Sequence, residues 1–246
     1  MTIDLWELLG RDPFSMASHL VGALLSLVAT VALVRRARQN GMTGLGVGTY
    51  GLMMTLAFSA SALFHYVGAG SPRLELYNKL DHSAIFLMIA GTGTAVYGAL
   101  QAQWTDRLTS ALWTVSILGM GLQLKFWSIP DWLTASIYLV VGWMASLGVV
   151  VVGRQMGGWS LRLFVAGAAT FTLGAVVYAV EWPSLWAGVI GPHEVFHVLV
   201  LVGAGFHFWF VYRHCTTRAF LTSVRVGRHR HKSVTVGADP SSDHPV

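Results

Sequence analysis

The fold class this sequence predicts is all-α: an integral membrane bundle of seven transmembrane helices. Three observations point to it. Of 246 residues, 54% are apolar and only 11% charged, against roughly 25% charged in soluble domains. Apolar runs long enough to cross a bilayer, about 17–25 residues each, recur seven times. No stretch alternates with the period of two that a membrane barrel needs, and helices satisfy their own backbone polar groups in lipid.

In chain order, residues 1–17 are expected to form an N-terminal interfacial segment, with Trp6, Leu8, Leu9 and Phe14 toward lipid. Its acidic residues Asp4, Glu7 and Asp12 do not make the basic start of a cleavable signal peptide. The seven spans of the transmembrane domain (18–213) are expected near Ser18–Val34, Leu45–Val67, Leu80–Leu100, Leu108–Leu124, Leu133–Val152, Leu161–Val180 and His193–Tyr212. Pro192 marks the last start, because its missing N–H is one that a first turn leaves unpaired. Gly91, Gly93, Gly98, Gly142, Gly148, Gly167 and Gly174 suit close helix–helix approach. Trp104, Trp127, Trp132, Trp182 and Trp186 lie near span ends, as an aromatic belt requires. Residues 214–246 form a basic tail, disordered by composition over 227–246.

The formal charge is +5. Six of the sixteen Lys and Arg residues lie at or after Arg213, where they suit anionic lipid head groups, so nucleic acid is not expected as a partner. Cys215 is the single cysteine, which excludes an internal disulfide and a multi-cysteine zinc site. With the N-terminus outside, inner segments hold twelve Lys and Arg, including Arg35, Arg36, Arg38 and the tail. The outer ones hold four: Arg11, Arg73, Lys79 and Lys125. The expectation is therefore N-terminus out and C-terminus cytoplasmic.

Ionisable side chains gather at three helix ends. His193 and His197, four apart, share one helix face at the start of the last span. Ser61 and His65 repeat that spacing at the end of the second, and Asp81 and His82 open the third. Parity puts all three ends on one side of the membrane, so His65, Asp81, His193 and His197 can converge at one depth. Three imidazoles with an open fourth position make the kind of zinc site used in catalysis. There the ion makes water nucleophilic and polarises a carbonyl. Asp81 would accept the water's proton, and Ser61 would hydrogen-bond the water or the developing oxyanion. Residue type alone leaves iron and manganese open.

Each residue also has a plainer role. Ser61 could bond a carbonyl one turn back, Asp81 and Glu194 could serve helix N-termini, and His65 could face head groups. His82 reads as a neighbour of the site. His19 lies on the same side and could reach the site, but a structural or interfacial role is the expectation. His207, ten residues past His197, reads as a packed core histidine, and His214, His229, His231 and His244 as solvated tail residues.

Ser61-Ala62-Leu63-Phe64-His65, Asp81-His82-Ser83 through Thr92, and His193-Glu194-Val195-Phe196-His197 through Gly203 resemble the hemolysin III family. That family is the bacterial branch of the progestin and adipoQ receptors, within a superfamily of membrane metal-dependent hydrolases. The resemblance spans roughly 15–213. It implies zinc ligation by His65, His193 and His197, with Asp81 and Ser61 beside the ion, in a bacterial inner membrane. Gly93-Thr94-Ala95 departs from the family's usual Tyr-Thr-Pro, and 178–186 matches only loosely.

Two functions of different class follow. One is a zinc hydrolase acting on a membrane-lipid amide or ester; the other is a seven-helix receptor or sensor with a structural zinc. A pore fits less well, because no span carries a continuous polar stripe: Thr92, Thr94, Gln101 and Gln123 are isolated.

Overall fold

The computed structural model describes residues 10–100, 103–125, 130–153, 158–186 and 189–217. The expectations for Trp6, Leu8, Leu9, Gln101, Trp127 and the tail from residue 218, including His229, His231 and His244, lie outside them. His214, expected to be solvated, is instead half-buried in the turn after the last helix, its ring 5.1 Å from that of Phe210. Seven α-helices follow one another within these residues: α1 Pro13–Gln39, α2 Leu45–Tyr66, α3 Leu74–Leu100, α4 Gln103–Lys125, α5 Asp131–Gly153, α6 Gly158–Val180 and α7 Pro192–Phe210. A wider π-helical turn, Val211–Cys215, continues α7. Among the described residues five stretches are long and apolar enough to cross a membrane, and α5 carries a shorter apolar stretch, Trp132–Ser146.

Several helices begin earlier than the hydropathy of the sequence indicates, α4 among them at Gln103 rather than Leu108, and two show why. α1 starts at Pro13 rather than Ser18: Asp12 accepts from the Ser15 backbone N–H at 3.2 Å, and proline fills the first turn. α3 starts at Leu74 rather than Leu80, its first turns steadied by a Lys79–Glu75 pair of 2.8 Å. In both cases capping and charge pairing extend the helix past its apolar core.

Sequential helices pack side by side, and α1 also meets α7, which closes the bundle. Polar cross-links supplement van der Waals packing, since lipid gives helices little hydrophobic reason to associate. Ser26 donates to Thr55 between α1 and α2 at 2.9 Å, and Trp113 to Thr94 between α4 and α3 at 2.9 Å. Tyr138 on α5 donates to the His82 carbonyl on α3 at 2.7 Å, and Tyr97 on α3 donates to the Ala145 carbonyl on α5. Beyond α7, Thr216 is held by Arg36 and Asn40 of the α1 end, each at 3.1 Å. A Cβ on Gly167 would lie 2.3 Å from the His207 ring, so α6 and α7 meet there only through glycine. The outward face of α1 exposes Leu24, Leu25 and Val28 by 58–68%, a surface that suits lipid and not water. Trp132, Trp182 and Trp186 are exposed near helix ends, as an interfacial belt requires.

Candidate metal centre

The end of α2 and the starts of α1, α3 and α7 meet at one end of the bundle, the arrangement parity requires. α7 begins there because Pro192 opens its first turn and Glu194 reaches back to accept the Gly191 N–H at 2.7 Å. That cap presents His193 and His197 on one face, opposite His65 in the last turn of α2. His65 and His197 are each 2% exposed. Nε2 of His193 lies 2.9 Å from Nε2 of His197 and 3.4 Å from Nε2 of His65. The potential ligand atoms of all three lie within 4.8 Å of one another, so this triad could hold a metal ion.

The far nitrogens of two of these rings are also engaged. Nδ1 of His65 is 3.1 Å from Oδ2 of Asp12. Nδ1 of His197 is 2.8 Å from Nε2 and 3.1 Å from Nδ1 of His19. Partial burial works to raise the Asp12 pKa, but its contact with His65 and the hydrogen bonds from Ser15 outweigh it. They hold the carboxyl at about 2, so Asp12 faces His65 as an anion.

Asp81 sits two turns inside α3, beyond reach of the helix-terminal partial charge, which fades within the first turn. Ser61 is 3% exposed, and with Asp81 it lines a cavity inside the bundle. His82 faces its own helix, Nδ1 lying 2.9 Å from the Asn78 carbonyl, yet lines the same cavity. His207 packs as expected: Nε2 donates to the Phe164 carbonyl at 3.2 Å and the ring stacks on Phe164 at 4.4 Å.

These groups open into a cavity of about 650 Å³ inside the bundle. His65, His193, His197, Asp81 and Ser61 line one end. Met54, Phe58, Met88, Ile89, Val96 and Val200 supply apolar wall, and Phe164 and His207 line the other end. His197 and His207 are ten residues apart on α7, about 15 Å along its axis.

A family model, haemolysin-III related, matches residues 9–208. The chain belongs to the haemolysin III family. Hemolysin-3 of Bacillus cereus is 30% identical over 204 residues, covering 79% of this chain and 87% of that protein. A hemolysin-3 homolog of Bacillus subtilis is 26% identical over 208 residues, 83% of this chain and 94% of the relative. The adiponectin receptor protein of Drosophila melanogaster is 25% identical over 215 residues, 78% of this chain and 48% of the receptor. Together with the apolar helices, this makes the chain an integral membrane protein of the hemolysin III and adipoQ receptor group.

Asp12 is the neighbour of the triad that sequence reasoning missed, and His19, placed on the right side, reads as structural from sequence alone. The Asp-Pro pair before an apolar run was a legible helix start, and its recognition would have drawn the first helix back to the site. That Asp12 then reaches His65 depends on the packing of α1 against α2.

Proposed function

We propose that this protein is a zinc-dependent membrane hydrolase that cleaves a lipid amide or ester, with His65, His193 and His197 holding the ion. The observation that carries the reading is the convergence of three Nε2 atoms, with a carboxylate and a serine beside them, at one end of an apolar cavity. Tetrahedral zinc with imidazole at 2.0–2.1 Å sets ligand nitrogens about 3.3 Å apart; the His193–His65 spacing of 3.4 Å is close to that, the His193–His197 spacing of 2.9 Å is shorter, and all ligand atoms lie within 4.8 Å of one another. When bound, zinc supplies a Lewis acid that makes water nucleophilic near neutral pH and polarises a carbonyl.

The protein's own residues supply the rest. Asp81 takes the proton from the attacking water and returns it to the leaving amine or alcohol. Ser61 holds the Asp81 carboxylate in place and offers a hydroxyl to the developing charge. The apolar walls bind an acyl chain, so the substrate class is a membrane lipid whose scissile carbonyl lies near the chain's polar end. The charge distribution supports a cytoplasmic C-terminus, an orientation in which the site would face outward.

Purified protein should release fatty acid from a lipid amide or ester, lose that activity to a chelator and regain it with zinc. Stoichiometric zinc without turnover on either lipid class would favour the sensor reading.

A further inference from the structure

The zinc-site reading leaves two groups beside the triad without a role, the half-buried Asp12 and the buried His19. We infer that they, with the Gly10–Asp12 segment, form an orienting layer around the site, fixing the rings of His65 and His197. The inference rests on the metal-site reading above.

An imidazole can offer Nε2 as a lone pair only when its proton sits on Nδ1. A carboxylate accepts and cannot donate, so Asp12 beside Nδ1 of His65 selects the tautomer whose Nε2 faces the other two rings. His19 does the same for His197. With Nδ1 of His197 donating to Nε2 of His19 at 2.8 Å, Nε2 of His197 is free to face His193. His19 is 4% exposed and packs edge-on against Phe58 at 5.1 Å, so its ring cannot swing away. Histidine ligands backed in this way are held in orientation as well as in tautomer.

Asp12 is itself held. Its backbone N–H donates to the His65 carbonyl at 3.2 Å, and its other carboxylate oxygen caps α1 through Ser15. Arg11 lies over the Phe64 ring at 4.3 Å and reaches the Phe64 carbonyl at 3.5 Å. Gly10 has φ +83°, and a Cβ there would lie 2.7 Å from the Tyr66 carbonyl oxygen. The segment is thus clasped over the last turn of α2, whose carbonyls need donors. One carboxylate both starts α1 and aims a histidine of α2.

Capping and orienting can be separated. Asp12→Ser keeps a good helix cap but is too short to reach Nδ1 of His65. His19→Phe keeps the ring packing without an acceptor, and His19→Gln restores an acceptor near the Nε2 position. Zinc affinity by chelator competition, the visible spectrum of the cobalt(II)-substituted protein and thermal unfolding are measured on each full-length variant. Asp12→Ser and His19→Phe should bind zinc about 10–100-fold more weakly and shift the cobalt spectrum, with His19→Gln close to the parent. Unchanged zinc affinity and spectrum, with only a lower melting temperature, would overturn the inference. Loss of fold that excess zinc does not rescue would overturn it too, since the residues would then serve the bundle. Failure of the underlying reading looks different: His193→Ala/His197→Ala would retain its zinc.

Discussion

Replacing Asp81 by asparagine separates proton transfer from metal binding. The amide is isosteric, can keep the contact with Ser61, and leaves the nitrogens of His65, His193 and His197 untouched. It cannot take a proton. General-base catalysis contributes about 10²–10⁴-fold, a barrier rise of about 3–5 kcal/mol, so turnover should fall by that factor while bound zinc stays near the parent level. Ser61→Ala removes one hydrogen bond to a carboxylate, about 1.5–3 kcal/mol, and should cost about 10–100-fold. The two losses should not add, because Ser61 acts partly through Asp81. Fatty-acid release in detergent micelles gives the rates, and elemental analysis of the same samples gives the zinc. Full activity in Asp81→Asn would refute the proton-transfer assignment. Loss of zinc in step with activity would make Asp81 a part of the metal site instead.

Gly167→Ala should lower stability by about 1–3 kcal/mol, because the new methyl meets the His207 ring and, at 3.1 Å, the Gly203 carbonyl. An unchanged thermal midpoint in detergent would contradict the α6–α7 contact. Ala204→Phe, from a buried wall residue of the cavity, should reduce hydrolysis of long-chain substrates more than of short-chain ones; an equal effect on both would place the acyl chain elsewhere. A C-terminal fluorescent-protein fusion should be bright, and a phosphatase active only after export should stay silent at that position. The reverse pattern would move the site to the cytoplasmic face.

Much of this arrangement was legible in the sequence, and for physical reasons. Bilayer thickness fixes helix length, so seven apolar runs gave seven helices. The i,i+4 spacing of His193 and His197 fixes their common face, and span parity carried His65 and Asp81 to the same end. What the sequence concealed depends on contacts between distant helices. His19 sits in an apolar run where a single imidazole resembles a packed core residue, as His207 proved to be. Its approach to His197, 178 residues away, follows from the closure of α1 on α7. Hydropathy also misplaced the starts of α1 and α3, because a cap such as Asp12 and a pair such as Glu75–Lys79 extend helices without adding apolar residues.

The central claim is that the three histidines hold zinc, and metal content tests it most directly. Elemental analysis of the purified protein and of a His193→Ala/His197→Ala double variant should find about one zinc per chain in the first and little in the second. Equal zinc in both, or none in the parent after purification with zinc supplied, would contradict the account.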